Sequence, residues 1–294
     1  MHPVLDDLIT LLQLERIEKN IFRGESRDIG SAQVFGGQVL GQALSAAQHT
    51  VEDRVVHSLH AYFLRRGDMD APIVYEVDRA RDGGSFSSRR VVAIQHGRPI
   101  LNLAASFQSP EEGLEHQASM PEVPSALECE DILDAESEFV QKMPEKMRRH
   151  MADRRAFEIR PVPLELRPGG AMKNVWLKAV DTLPKKPALH RNLLAYASDY
   201  ELLGAATIPH ELSFEKGGVI MASLDHALWF HREVHIDEWL LYSIDSPNAS
   251  GARGFARGQF FNAAGELVAS TAQEGLLRVI ENPKRERSDP KLQN

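Results

Sequence analysis

Two stretches of the sequence echo each other: His57–Phe63 (HSLHAYF) and Ser223–Phe230 (SLDHALWF). Each is followed by an apolar run, by arginine, and by a hairpin pattern whose returning strand ends near a glutamine, Gln108 or Gln273. Ser223 lies 165 residues after Ser58, and Gln273 lies 165 residues after Gln108. A shared offset across about fifty residues predicts that the chain contains two copies of one domain.

A helix-like segment precedes each set of strands, Gln38–Gln48 in the first copy and Ala188–Ala205 in the second, with apolar residues recurring at three and four. Each copy is therefore expected to be one helix followed by antiparallel strands, an α+β arrangement. Four regions follow from this. They are an N-terminal domain (1–109), a proline- and glutamate-rich linker (110–160) with a helix around Ile132–Val140, a C-terminal domain (161–280) and a charged tail expected to be mobile (281–294).

The composition excludes several classes of protein. The 294 residues are 43% hydrophobic, enough for two cores, and no apolar run is long enough for a membrane helix. A net charge of −8 argues against nucleic acid as a partner. Asp6 and Asp7 interrupt the position of a signal peptide, and the single cysteine, Cys129, has no disulfide partner. We expect a cytoplasmic protein that does not insert into membranes.

The familiar cofactor motifs fail on inspection. Gly36 and Gly41 have the spacing of a phosphate loop, but no lysine follows them. His210 lacks the second histidine of a zinc-protease helix, and His231 and His235 follow a predicted strand, where i, i+4 spacing does not favour a metal. We expect no metal and no other cofactor, and no serine or cysteine is placed as a covalent nucleophile.

Asp199 is the carboxylate of interest. If Ala188–Ala205 is a helix, its neighbours at three and four are apolar or aromatic, so the side chain lies on the apolar face. A carboxylate there requires hydrogen bonds or a raised pKa, and either condition suits a general base. The alternative is an Asp at the edge of the stripe that faces solvent, or one whose hydrogen bonds are satisfied by Ser198 and a neighbouring strand.

Several stretches together resemble the type II acyl-CoA thioesterases. The resemblance runs from near Leu5 to Arg278 and implies a double hotdog, in which an antiparallel sheet wraps each long helix and the two copies share one sheet. The stretches that carry it are Gln33–Val39, Tyr196–Asp199, Asp225–Arg232, Glu238–Tyr242 and Ala269–Gly275.

The resemblance implies a catalytic trio of Asp199, Ser223 and Gln273, with serine where some members have threonine. It implies hydrolysis of fatty acyl-CoA to free fatty acid and CoA by direct attack of water. The 165-residue offset places Val34 at the position of Asp199 in the first copy, which predicts that this copy lacks the acid. Candidate residues for binding the substrate are His60, Arg89, Arg90, Arg253 and Arg257.

Two other functions stay open at this point. A hydratase or dehydratase acting on enoyl or hydroxyacyl thioesters would require a His paired with an acid, and a non-catalytic acyl-CoA-binding module would leave Asp199 facing solvent. Two fused hotdogs also leave sheet edges, so we expect a homo-oligomer, a dimer or a tetramer.

Overall fold

Helices and strands alternate in the pattern of two similar halves. The computed structural model describes residues 1–27, 33–131, 134, 138–141, 155–163, 170–212 and 219–279. The helices in these residues are α1 (Pro3–Leu12), α2 (Gly36–Gln48), α3 (Glu138–Gln141) and α4 (Pro187–Ala197), with 3₁₀ segments at Ala126–Glu128 and Leu203–His210. The strands are β1 (Glu15–Glu18), β2 (Ile21–Gly24), β3 (Val55–Phe63), β4 (Ile73–Asp82), β5 (Phe86–Gln95), β6 (Arg98–Gln108), β7 (Phe157–Pro161), β8 (Met172–Ala179), β9 (Val219–Ser223), β10 (Asp225–Phe230), β11 (Leu240–Ser250), β12 (Arg253–Asn262) and β13 (Leu267–Val279).

These strands form one antiparallel sheet in the order β1-β2-β4-β5-β6-β3-β10-β13-β12-β11-β8-β7, and β9 also pairs with β13. Read inward from its two ends, the order has the same pattern in each half. The halves join where β3 pairs with β10, with Leu59 opposite Leu228. The topology confirms the two-copy α+β prediction and the double hotdog fold.

Helices α2 and α4 lie antiparallel and touch through their backbones. Gly37 and Gly41 face α4, and a Cβ at these positions would lie 2.2 Å from the carbonyl oxygen of Tyr196 and 3.1 Å from that of Asn192, respectively. Residues Gly37–Ala47 of α2 are all buried, so the helix is enclosed by the sheet and by α4. The packing places the start of α2 against the end of α4.

The prediction that the second helix continues to Ala205 was wrong, because α4 ends at Ala197. The hydroxyl of Tyr242 donates to the carbonyl oxygen of Ser198 at 3.0 Å, an acceptor that a continuing helix would offer to the N–H of Leu202. That N–H bonds instead to Tyr200 O at 2.7 Å. Asp199 therefore lies in the turn after the helix and not on its apolar face.

The 165-residue offset does not relate equivalent strand positions. On β6 the buried row includes Phe107, so Gln108 belongs to the opposite row and is only half-buried, whereas Gln273 on β13 is 1% exposed in the inner row. Ser58 pairs with Ser106, two residues before Gln108, but Ser223 pairs with Gly275, two residues after Gln273. Because side chains alternate along a strand, an alignment that is wrong by one residue exchanges the inner and outer faces of β6 and β13.

The limits of the two halves also differ from the expected ones. β7 begins at Phe157 and pairs with β8, as β1 pairs with β2 in the first half, so the second half begins before residue 161. Of the helix expected around Ile132–Val140, the described part is α3, and residues 132–133 and 135–137 lie outside the described residues, as does the tail 281–294. None of the described helices has the length and apolar composition needed to span a bilayer.

Arg89, a candidate for binding the substrate, lies in the core of the first half and is 2% exposed. Its Nε donates to Thr50 Oγ1 at 2.9 Å, and Nη1 donates to the carbonyl oxygens of Arg81 and Ser88. Nη2 donates to Thr50 O at 3.0 Å and to Asp82 Oδ1 at 2.6 Å. All five N–H protons are used within the protein, so Arg89 has none left for a ligand.

Replacing Arg89 should therefore cost stability. We expect Arg89→Leu to lower the free energy of unfolding by about 3 kcal/mol, because it leaves buried acceptors around Thr50 without donors; the half-exposed Asp82 limits the loss. Urea denaturation checks this, with Arg90→Leu on the exposed face of β5 as the control, expected within about 0.5 kcal/mol of the parent. Equal losses in the two variants would contradict a structural role for Arg89.

Candidate active site

The three residues of the implied trio meet at one point. Gln273 Nε2 lies 2.8 Å from Asp199 Oδ1 and 3.1 Å from Ser223 Oγ. Asp199 follows α4, Ser223 ends β9, and Gln273 lies in the inner row of β13. The Asp199 side chain is 7% exposed and its hydrogen bond to Gln273 stabilises a carboxylate at this depth. Asp199 is therefore buried and hydrogen-bonded to a strand of the sheet, and it does not face solvent.

Side chains of the sheet hold the backbone just before Asp199 in place. Thr271 Oγ1 and Tyr242 OH are 2.8 Å apart, and Tyr242 OH donates to Ser198 O, so Thr271 is the donor to Tyr242. Burial raises the pKa of Tyr242, which keeps its proton and remains a donor. Gly258 makes room for this ring, since a Cβ there would lie 2.2 Å from Tyr242 Cε2. These contacts fix the turn that carries the carboxylate.

The start of α2 faces the other carboxylate oxygen. A Cβ at Gly36 would lie 2.6 Å from Asp199 Oδ2, so only glycine permits this approach. Among the described residues, the N–H groups of Gly36 and Gly37 have no hydrogen-bond acceptor. The first N–H groups of a 13-residue helix form a site for negative charge. The sequence signal for this site is the Gly36-Gly37 pair at the start of the helix, whereas the phosphate-loop motif considered above pairs Gly36 with Gly41.

His226 lies beneath the trio and is 0% exposed. Its Nε2 is 2.9 Å from Ser198 Oγ, and its Nδ1 is 3.3 Å from Gln273 Nε2 and 3.9 Å from Asp199 Oδ1. Burial lowers the pKa of His226, and the charge of Asp199 opposes this shift only in part. The ring is therefore neutral near pH 7. Sequence reasoning gave His226 no role, because its partner Ser198 comes from a different element.

The remaining candidates for substrate binding lie on the outer face of the sheet. Arg253 pairs with Glu274 at 2.9 Å and Arg257 pairs with Asp245 at 2.6 Å, all four partly or largely exposed. His60 is exposed and meets Trp229 edge to face, with ring centroids 5.1 Å apart, and Arg90 is exposed on β5. Among the described residues, no contact joins any of these side chains to the trio, and none of the candidates is brought into the site.

The first half has a different residue at the corner that matches Asp199. Asp199 is the second residue after α4, and the second residue after α2 is Thr50, which is buried and bonded to Arg89. The position expected from the repeat offset, Val34, precedes α2 instead. Aligned by the helix ends, the first half has a hydroxyl and a buried guanidinium where the second half has its carboxylate.

One group of described residues could offer three metal-ligating atoms: His190, His235 and Asp237, within 4.8 Å of one another. Both ring nitrogens of His190 are already used, since Nδ1 accepts the N–H of Ile236 at 3.3 Å and Nε2 donates to Pro184 O at 3.2 Å. These hydrogen bonds satisfy the polar atoms of the buried His190 ring, and none of the three residues belongs to the trio. We assign it a structural role.

Comparisons with known proteins place this chain in a family. Residues 147–276 match the family model described as acyl-CoA thioesterase, and residues 23–108 match the acyl-CoA thioesterase N-terminal domain. Acyl-CoA thioesterase 2 of Haemophilus influenzae is 44% identical over 286 residues, covering 96% of this chain and 100% of that protein. Human acyl-coenzyme A thioesterase 8 is 40% identical, covering 92% and 88%. The crystal structure of acyl-CoA thioesterase II TesB2 from Mycobacterium marinum aligns with a TM-score of 0.77 at 41% identity, covering 94% of this chain and 98% of that one.

The neutral state of His226 predicts a dependence of stability on pH. The folded pKa lies below the unfolded value of about 6.5, so this contribution is full above pH 6.5 and is lost as the pH falls, by at most about 1.4 kcal/mol per pH unit. Urea denaturation at pH 7.5 and 5.5 measures the loss. In His226→Asn the loss should be smaller, because the titration of residue 226 is removed while the other titrating histidines remain in both proteins. An identical pH dependence in the two proteins would show that His226 does not titrate as described.

Proposed function

The chain belongs to the acyl-CoA thioesterase family, and from this premise we propose that Asp199 activates water to hydrolyse the thioester of a fatty acyl-CoA. The observation that carries the proposal is the meeting of Asp199, Ser223 and Gln273 at the start of α2. The site combines a base, two polar side chains and two backbone N–H groups that have no acceptor among the described residues. Direct hydrolysis requires these parts, and no covalent nucleophile is needed.

The two carboxylate oxygens of Asp199 have different roles in this proposal. Oδ1 accepts from Gln273 Nε2, which leaves Oδ2, beside Gly36, to accept a proton from water. Ser223 Oγ also accepts from Gln273 Nε2, so its own hydroxyl proton is available to the water oxygen. The water is thereby held with one proton toward Asp199 and a lone pair toward the thioester carbon.

The start of α2 stabilises the charge that the attack creates. As the water oxygen bonds to the carbonyl carbon, the carbonyl oxygen becomes an oxyanion, which the N–H groups of Gly36 and Gly37 bind. The carbon–sulfur bond then breaks, the thiolate of CoA leaves, and it takes up the proton that Asp199 received. The products are the carboxylic acid and CoA, and Asp199 returns to its carboxylate form.

An aromatic cluster beside this site is an argument that the substrate carries an apolar acyl group. Phe35 precedes Gly36 and meets Tyr196 and Tyr200, with ring centroids 5.1 Å and 4.9 Å apart. Phe157 packs on Tyr196 from the other side, at 6.0 Å. Hydrocarbon chains gain free energy by leaving water for such surfaces, so we place the acyl chain along this cluster.

The geometry disfavours the two alternatives. A hydratase or dehydratase would use a His that reaches the substrate, but His226 is fully buried and both of its nitrogens are bonded to the protein. A binding module without catalysis would leave Asp199 in solvent, whereas this side chain is 7% exposed and bonded to Gln273. Hydrolysis is the reaction that uses the carboxylate as it stands.

We place the phosphates of CoA in a cationic cavity near the start of α2. The cavity has a volume of about 340 Å³ and is lined by Arg65, Arg66, Gln95, His96, Arg98 and Ile100. It is fixed in place, since Arg65 Nη1 donates to Pro99 O at 2.7 Å and buried Gln95 donates to the carbonyl oxygens of Asp68 and Ala71. Three guanidinium groups suit a diphosphate better than the paired arginines of β12.

The cavity adjoins the site through the loop after β3. Gly67 O accepts the N–H of Val34 at 3.1 Å, and Val34 is two residues before Gly36. Phe63, at the other end of this loop, lies 3.1 Å from the position of a Cβ on Gly36. A substrate lying along this loop connects the cationic cavity with the carbonyl-binding N–H groups, which fits a thioester separated from its phosphates by an extended arm.

The proposal extends to assembly and location. In the described sheet β1 and β7 each have a single neighbour, and Tyr62 and Phe86 expose apolar surface, features that favour association of chains. We propose a homo-oligomer, a dimer or a tetramer, that acts in the cytoplasm on fatty acyl-CoA.

The first functional prediction concerns the base. Asp199→Asn keeps the shape of the side chain but cannot accept the proton, so kcat for acyl-CoA should fall by about 10² to 10⁴ with the fold retained. Ser223→Ala and Gln273→Ala should cost less, and neither loss should add to that of Asp199→Asn, because all three groups act on one water. A thiol-release assay across acyl chain lengths, with circular dichroism, gives both readouts.

The matched control is Gln108→Ala, because Gln108 lies on the outer row of β6 and not in the site. Its kcat should stay within about twofold of the parent. If Gln108→Ala abolished thiol release while Asp199→Asn retained it, the chemistry would belong to the first half and the proposal would fail.

The second functional prediction concerns the phosphates. Arg65→Ala and Arg98→Ala should each raise KM for acyl-CoA about tenfold, the loss of one charge-assisted hydrogen bond, and leave kcat nearly unchanged. Hydrolysis of the matching acyl-pantetheine, which lacks the nucleotide and its phosphates, should be unaffected. Arg257→Ala, on the outer face of β12, is the control and should change neither substrate. Equal effects on both substrates would place the phosphates elsewhere.

A further inference from the structure

His226 is connected to the trio through its contact with Gln273, and its buried ring has no path to a substrate. Its ring is 0% exposed, with Nε2 against Ser198 Oγ at 2.9 Å and Nδ1 against Gln273 Nε2 at 3.3 Å. A buried histidine bonded at both nitrogens has one tautomer fixed by its neighbours. The hydrogen bonds of its neighbours determine which tautomer is present.

The hydroxyl of Ser198 decides the tautomer. Ser198 has one proton, and it donates this to the carbonyl oxygen of Ala195 at 2.9 Å, the usual back-bond to the preceding helical turn. Ser198 Oγ can therefore only accept from His226, so the ring proton of His226 is on Nε2. Nδ1 is then a lone pair that accepts an N–H of Gln273. Burial, which lowers the pKa of His226, keeps the ring in this neutral form.

This tautomer fixes the direction of the Gln273 amide. Three acceptors surround its two N–H protons: Asp199 Oδ1, Ser223 Oγ and His226 Nδ1. Rotating the amide by half a turn would place Oε1 against the carboxylate and against the Nδ1 lone pair, two repulsive contacts. In the observed direction Oε1 is buried and has no partner among the described residues, a cost that these acceptors offset.

We propose that His226, with its tautomer set by Ser198, is a positioning residue that holds the Gln273 amide so that Asp199 presents Oδ2 to the attacking water. This inference rests on the hydrolytic function proposed above. Asp199 has one oxygen occupied by Gln273 and one free beside Gly36 only while the amide keeps this direction. The backbone carbonyl of Ala195, at the end of α4, thereby determines the orientation of the base through three side chains, those of Ser198, His226 and Gln273.

The test compares two substitutions of His226 that differ in one acceptor. His226→Asn offers its amide oxygen close to the place of Nδ1, whereas His226→Leu has a similar size and no acceptor. We expect His226→Leu to lower kcat for acyl-CoA about tenfold with KM within twofold, and His226→Asn to restore part of the loss. His49→Leu, at the other end of α2, is the matched control and should keep kcat within twofold. Restoration by asparagine is a result that a role in packing alone would not give.

Two further measurements separate positioning from packing. In the Gln273→Ala background, His226→Leu should have little additional effect on kcat, because its contribution passes through the amide. Nitrogen-15 NMR of labelled histidine in the parent protein should show a proton on Nε2 of His226 and none on Nδ1, and Ser198→Ala should allow the other tautomer. The NMR measurement holds even if His226→Leu does not fold.

The inference is overturned if folded His226→Leu keeps the parent kcat, if its loss adds fully to that of Gln273→Ala, or if Nδ1 carries the proton. These outcomes differ from a failure of the proposed function. If the parent protein releases no thiol from any acyl-CoA, hydrolysis itself is wrong. If Asp199→Asn abolishes thiol release but His226→Leu does not, the hydrolytic function stands and only the positioning role is wrong.

Discussion

The backbone contact between α2 and α4 is the constraint on which the site depends. Gly37 and Gly41 let the two helices approach so closely that a Cβ at Gly37 would clash with the carbonyl oxygen of Tyr196 and one at Gly41 would crowd that of Asn192. The antiparallel approach sets the free N–H groups at the start of α2 beside the carboxylate that follows α4. The proposed base comes from one half of the chain and the proposed oxyanion site from the other, and this contact brings the two together. Helix packing at this distance thus serves the chemistry as well as the core.

The sequence predicted the architecture because its signals are local. A helix followed by strands and hairpins, repeated once, was enough for the two-copy α+β fold, and the observed strand order agrees with it. The family resemblance supplied Asp199, Ser223 and Gln273, which the structure brings within hydrogen-bond distance. The length of the second helix could not be predicted, because Tyr242, 44 residues further on, takes the carbonyl oxygen of Ser198. The periodicity of a helix does not reveal that a residue distant in sequence competes for one of its carbonyl oxygens.

The register of the repeat failed for a related reason. Gln108 was matched with Gln273 because the residue types agree. Successive side chains of a strand point to opposite faces, however, and these two glutamines lie on opposite faces of the sheet. Arg89 illustrates the same limit: arginine in a strand suggested a surface contact with phosphate, and it is instead 2% exposed and bonded at every proton. The roles of His226 and Ser198 were not predicted from the sequence, because these roles depend on which atom carries each proton. That assignment requires the hydrogen-bond partners to be known.

The mismatch between Thr50 and Asp199 bears on how the molecule arose. Two identical halves related by a two-fold axis would place an acid after each helix and carry two equivalent sites, as a symmetric pair of separate chains must. Once both halves lie in one polypeptide, each is free to change alone, and one carboxylate can give way to a hydroxyl bonded to a buried arginine. In the first half this corner is an anchor between the end of α2 and β5. A single chain can therefore use this corner of one half for structure, while the site proposed in the other half takes its groups from both halves.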